Sequence, residues 1–308
     1  MELANTTVKT GLSRRQIMLM RLATYASVGV ALTLIGFKIW AWRATDSVAL
    51  LSSLADSLLD LIASLITLFA VRLALSPADS EHRFGHGKSE GIASLVQAVI
   101  VCGSAVYVGV EAVMRLLAPR PIEQAGIGIG VMLASLVLTI SLVSFQRFVV
   151  KRTASLAISA DAVHYRADIL TNLAVLCAIF ASSQWGLHVL DPLLGLGVAA
   201  LILLSVRTIL MDALDVLLDR ELPESARMRI EEIAYNHSEV KGLHDMRTRS
   251  SGAAQFIQFH LELDPKLTLE QAHEICDAVE GEVQRCFPSS EILIHADPHG
   301  LDEIRDPF

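Results

Sequence analysis

The chain has 308 residues, 53% of them hydrophobic, with a formal net charge of −8 and a mean hydropathy of +0.50. So apolar a balance excludes an ordinary soluble domain and points to an integral membrane protein. The acidic net charge, with no basic patch, excludes nucleic acid as a partner.

Apolar runs dominate residues 20–212, whereas 220–308 read as soluble and charged. Ser13-Arg14-Arg15 before an apolar stretch suggests a twin-arginine export signal. The run that follows extends to Trp42, too long for a signal core, and lacks a small-x-small cleavage site. It is therefore expected to be the first of six membrane spans, over 18–42, 48–75, 90–117, 124–149, 155–184 and 190–212. Three segments are expected: an N-terminal tail (1–17), a six-span membrane domain (18–212) and a soluble C-terminal domain (213–308).

Lys9, Arg14, Arg15 and Arg21 precede or open the first span. Arg72, Arg83 and Lys88 surround the next loop on that side, and Arg147, Lys151 and Arg152 the one after it. The other side has only Arg43, Arg115 and Arg120, so the positive-inside rule puts both termini in the cytoplasm. Trp40, Trp42 and Trp185 fall at outer ends, as an aromatic belt requires, and Lys38 is expected to snorkel there. Gly126, Gly128 and Gly130 in the fourth span, and Gly195 and Gly197 in the sixth, are small enough for close helix packing.

The second span carries Asp56 and Asp60. A spacing of four puts both carboxylates on one helix face, about one turn apart. A carboxylate at bilayer depth costs roughly 3 kcal/mol even on lenient scales, so something cationic should hold the pair. His164 and Asp168 repeat the spacing in the fifth span. Three carboxylates and an imidazole facing a bundle interior make a four-ligand site for a divalent transition metal. The mixed oxygen and nitrogen set suits Zn²⁺ and admits Cd²⁺, Fe²⁺ or Mn²⁺. The competing reading is that these groups pair with Arg166 or with one another, but intramembrane ionisable residues are functional by default. Asp161 shares the stripe one turn earlier, where cytoplasmic water is expected to solvate it, and Arg166 points to another face.

Between the second and third spans, Asp79, His82 and His86 have a spacing that can bind zinc, or they form a solvated turn. The four cysteines, Cys102, Cys177, Cys276 and Cys286, include no CxxC and read as small apolar fillers.

The tail patterns as a helix over 223–237, strands over 240–248 and 255–263, a helix over 268–287 and a strand over 291–296. Ser250-Ser251-Gly252 supplies the turn between the first two strands. This αββαβ order makes an α+β open-faced sandwich with helices on one sheet face. His244, His260, His273, His295 and Asp297 are dense enough there to favour metal over chance surface groups. His188, His237 and His299 lack such company and read as surface groups. His273-Glu274 is not part of an HExxH motif, and no GxxxxGK[ST] loop supports an ATP-driven pump.

The stretches DSLLD, PADSEHRFGHGKSE, SFQRFVV, ADAVHYRAD, LLDRELP, GLHDMRTRSSG, FIQFHLEL and IHADP resemble the cation diffusion facilitator family over nearly the whole chain. The match departs at Ala162 and Val163, where a bulkier apolar pair is expected. The resemblance implies a six-helix transporter of the bacterial inner membrane. It would form a homodimer through its cytoplasmic domains and export divalent metal, Zn²⁺ foremost, in exchange for protons. It assigns Asp56, Asp60, His164 and Asp168 to the transport site and Asp79, His82 and His86 to a loop site. His244, His260, His273, His295 and Asp297 would form a two-metal site in the tail. Lys88 and Asp219 match a charge interlock between the membrane domain and the tail. The rival readings are a membrane-anchored metal sensor and a passive metal channel.

Overall fold

The computed structural model describes residues 12–45, 48–118, 126–185, 187 and 189–300; Lys9, Arg120 and His188 lie outside them. Two compact units are present, one of Arg14–Ala74 with Ser89–Leu214, the other of Leu75–Lys88 with the chain from Asp215 onward.

The first unit holds α1 (Arg14–Thr45), α2 (Val48–Ala74), α3 (Ser89–Leu117), α4 (Gly126–Thr153), α5 (Leu156–Trp185) and α6 (Leu190–Leu217). All six are long and apolar enough to cross a membrane. Ala23, Ala31, Ala63, Ala98, Ala105 and Ala112 are buried between helices, while Phe69, Phe180 and Leu204 are exposed. Small residues inside and bulky ones outside suit a bundle solvated by lipid, where packing rather than hydrophobic burial holds helices together. At Gly195 of α6 a Cβ would lie 3.2 Å from that of Ala112 on α3, so this glycine serves close packing as expected. Gly130 and Gly197 have open space beside them and do not.

The second unit contains α7 (Glu224–Tyr235), β1 (Gly242–Ser251), β2 (Ala254–Leu263), α8 (Leu269–Cys286) and β3 (Ser290–Pro298). The sheet order is β1-β2-β3, antiparallel then parallel. The parallel pair requires the α8 crossover between β2 and β3. Thr268 starts α8 with a capping box: its hydroxyl accepts from the Gln271 N–H while the Gln271 side chain accepts from the Thr268 N–H. Ile257, Phe259, Leu261 and Leu263 of β2 join Ile230, Ile233, Val279 and Val283 of the helices in one core. Strand alternation therefore sends Gln258, His260 and Glu262 to the other face.

Residues 75–88 pack on this unit through glycine. A Cβ at Gly87 would lie 2.1 Å from the Ser251 carbonyl oxygen, and one at Gly252, in the turn with φ +61°, 3.2 Å from Gly87. Beside this contact the Arg249 guanidinium lies 4.9 Å from the Phe84 ring centre and 4.5 Å from that of Phe256. Lys88 Nζ lies 2.9 and 3.0 Å from the two Asp219 oxygens, and Arg249 Nη1 3.3 Å from one of them. Burial alone would raise the Asp219 carboxyl, but hydrogen bonds and charge from Lys88 and Arg249 outweigh it and hold the group below the ordinary carboxylate range.

Gly87→Ala should cost about 1–3 kcal/mol by overpacking, read as a lower melting temperature and faster amide exchange over 75–88. Because Asp219 binds its proton less readily folded than unfolded, its contribution is present at neutral pH. It fades as pH falls below about 4 and through the lower folded value. Exchange over 75–88 should accelerate in that window, modestly because the pair is partly solvated. In Asp219→Asn that acid-dependent rise should be absent.

Candidate functional site

The face of α2 that carries Asp60 meets α5. His164 Nε2 lies 3.0 Å from Asp60 Oδ1, and ligand atoms of Asp60, His164 and Asp168 all lie within 4.8 Å of one another. Asp56, one turn earlier, lines the same cavity without joining that trio. The cavity has a volume of about 630 Å³ and is lined by all six helices, from Leu34 on α1 to Ile202 on α6. A hydroxyl and an amide, Thr171 and Asn172, continue the α5 wall beyond Asp168. Carboxylate oxygens and an imidazole nitrogen at this separation suit a borderline cation such as Zn²⁺.

Two nearby groups differ from the sequence reading. Asp161 is not solvated: it is fully buried, and its oxygens accept from Ser27 Oγ at 2.7 Å, Gln146 Nε2 at 2.7 Å and Gln97 Nε2 at 3.5 Å. Neutral donors from α1, α3 and α4 thus hold this carboxylate, which explains its place so close to the site without making it a ligand. Lys38 does not simply snorkel either. Its Nζ donates to the Ser53 carbonyl at 2.9 Å and the Ser57 hydroxyl at 2.6 Å on α2, and it lines the cavity. Arg166 is exposed on another face, as expected.

In the loop, Asp79 Oδ1 lies 3.3 Å from His82 Nδ1 and Asp79 Oδ2 3.4 Å from His86 Nε2. Ser76 Oγ lies 3.2 Å from His86 Nδ1. The His82 backbone N–H, foremost, holds the Asp79 carboxyl below its usual range. The three groups are close enough to share one ion.

In the tail, sheet register builds the cluster. His244 pairs with His260, and His260 with His295, so three imidazoles form one row across the strands. Adjacent ring centres lie 5.1 and 4.6 Å apart. Asp297 reaches all three, at 3.4 Å from His244, 2.7 Å from His260 and 3.1 Å from His295. A bulge after His244, with Asp245 at φ 48°, brings Asp245 to the His244–His260 edge. His273 is not brought in: it sits exposed on α8, 3.6 Å from Asp277.

In the tail, Asp245 and Glu262 were missed from the sequence, and His237 and His299, read as surface groups, have acidic neighbours. Glu262 is nearly buried, 3.3 Å from His244 and 2.7 Å from His299, so His299 has company after all. His237 is half-buried, 3.5 Å from Glu282. The signal for Glu262 was present, since it shares the outward face of β2 with His260 two residues earlier. Gly242 lies against it: a Cβ there would sit 2.8 Å from the Glu262 carboxyl carbon, so a larger residue would displace this carboxylate.

Residues 24–218 match the family model for the cation efflux transmembrane domain, and residues 222–299 that for the cation efflux protein cytoplasmic domain. A protein of Salmonella arizonae named cation-efflux pump FieF is 44% identical over 276 residues, covering 90% of this chain and 92% of its own. One of the same name from Salmonella paratyphi A matches to the same extent. Among solved structures, a MamM C-terminal domain in its manganese form is 35% identical, covering 25% of this chain and 98% of its own, with a TM-score of 0.24. CzrB in its Zn form is 30% identical over 28% of this chain and 99% of its own, with a TM-score of 0.25. The chain belongs to the cation efflux family, as a multi-pass membrane protein that moves divalent metal cations and is not an enzyme.

Proposed function

We propose that this chain is a Zn²⁺/H⁺ antiporter that exports metal from the cytoplasm across a bacterial inner membrane, with both termini cytoplasmic. Residues 18–212 form the transport domain and 213–308 a cytoplasmic domain through which two copies pair. The observation that carries this reading is the meeting of Asp60, His164 and Asp168 in a cavity to which every membrane helix contributes. Asp56, one turn away on the same wall, completes a four-ligand shell when α2 and α5 close on the cargo. Cd²⁺, Fe²⁺ and Mn²⁺ are the alternative cargoes.

Alternating access follows from a single site at a helix interface, with α2 and α5 rocking against the rest. Proton coupling follows from ligand chemistry. Each ligand must be deprotonated to bind metal, so protons and Zn²⁺ compete for the same atoms. Imidazole is the group whose ordinary titration lies nearest physiological pH, which makes His164 the natural proton carrier. A membrane-anchored sensor would use the tail cluster but would leave the intramembrane trio without a role.

The tail residues fit a bound metal. His244 Nδ1 is buried and has no hydrogen bond among the described residues, although Glu262 lies beside it. His244, His260, His295 and Asp297 would hold structural Zn²⁺, with exposed His273 left for a set completed across the dimer. The loop trio of Asp79, His82 and His86 is proposed as a further metal site, and Lys88 with Asp219 as a structural interlock.

Purified protein in liposomes, with Zn²⁺ entry followed by an internal dye, should show uptake driven by an imposed pH gradient. Asp60→Asn should lower it by at least about a hundredfold. Uptake indifferent to the gradient would instead indicate a channel, and His164→Ala retaining full coupling would remove histidine as the carrier. Zn²⁺ at a hundred times its dissociation constant should stabilise the tail of the full-length protein by about 2.7 kcal/mol. Thermal unfolding of Asp297→Asn should lose most of that gain, and sedimentation should show fewer dimers after chelation.

A further inference from the structure

Of the described side chains that line the transport cavity, Lys38 alone is a lysine or arginine. It comes from α1, yet its ammonium is bonded to α2 at two points, the Ser53 carbonyl and the Ser57 hydroxyl. These two residues flank Asp56 in sequence, so the ammonium is held on the wall that carries two of the carboxylates. Both anchors are neutral oxygens. They fix the position of the charge without cancelling it.

We propose that Lys38 is the built-in countercharge of the transport site, setting its net charge to match one divalent cation and keeping affinity low enough for release. The inference rests on the reading of Asp56, Asp60, His164 and Asp168 as cargo ligands. Within the ligand set, three ionised carboxylates and one ammonium leave two negative charges, which a single divalent ion neutralises; Asp161 lies outside that set, held by its own donors Ser27 and Gln146. Without the ammonium the site holds three, and the loaded cavity keeps an uncompensated negative charge in an apolar bundle, which is costly. Conversely, the ammonium repels the incoming ion, so each cycle starts from a site that binds its cargo less tightly than its ligands alone would. A transporter gains from this, because a deeply bound ion leaves slowly.

A merely structural lysine would act through its two hydrogen bonds. Lys38→Gln separates the roles, since an amide can donate to the same oxygens while lacking the charge. In proteoliposomes, Lys38→Gln should lower the apparent KM for Zn²⁺ by at least about tenfold, with a reduced maximal rate, and Lys38→Arg should restore both. Equilibrium Zn²⁺ binding to detergent-purified Lys38→Met should be tighter by a similar factor. Lys38→Gln with an unchanged KM, Lys38→Arg behaving like Lys38→Gln, or Lys38→Met binding with wild-type affinity would each overturn the proposal. Asp60→Asn in the same assay separates the two ideas. If it abolishes uptake while Lys38→Gln behaves as wild type, only the countercharge fails; if it transports normally, the site itself fails and the countercharge with it.

Discussion

An ionised carboxylate inside an apolar helix bundle must find compensation, and the arrangement of the membrane helices follows from how each one finds it. Asp161 is compensated permanently. A hydroxyl on α1 and side-chain amides on α3 and α4 converge on its two oxygens, so four helices are tied together at one buried point. Asp60 and Asp168 are treated differently. They open on a cavity, and Asp60 bonds an imidazole whose nitrogen can hold either a proton or a metal. The same residue type is thus locked in place where neutral donors surround it and left facing a cavity where they do not. His164 and Asp161 are one turn apart on α5, so the fixed node positions the exchangeable one.

The soluble unit applies the same separation to a sheet. One face of β2 gives its aliphatic and aromatic side chains to the helices, and the other carries His260 and Glu262. Imidazoles from three strands line up because the strands pair in that register, not because any loop carries them there. Asp297 then sits within reach of all three rings. Rigid elements, rather than mobile segments, set the distances between possible ligands, which is what a metal site of defined geometry requires.

Much of this was legible in the sequence because bilayer length and strand alternation are strong periodic signals. Six spans and the αββαβ order emerged with ends displaced by a few residues. Asp60, His164 and Asp168 stood out because charge is so rare in apolar runs. What stayed hidden depends on partners distant in the chain. Nothing local to Asp161 indicates that Ser27, Gln97 and Gln146 will surround it, so solvation was the natural expectation. Lys38 near a predicted span end reads as a snorkelling residue until α2 is seen to supply its acceptors. His299 seemed isolated because its companion, Glu262, lies 37 residues earlier and becomes a neighbour only through parallel pairing of β2 with β3.

The histidine row ties chemistry to folding in a way that individual ligands would not. Side chains alternate along a strand, so a one-residue slip of β2 against its neighbours would turn every side chain to the opposite face. His260 and Glu262 would enter the apolar core, while Phe259 and Leu261 would come out into water. No partly slipped sheet can keep the histidine face and lose the core, or the reverse. Ligand geometry and core integrity are therefore one cooperative variable, and the bulge after His244 is the single place where β1 takes up an extra residue without disturbing either.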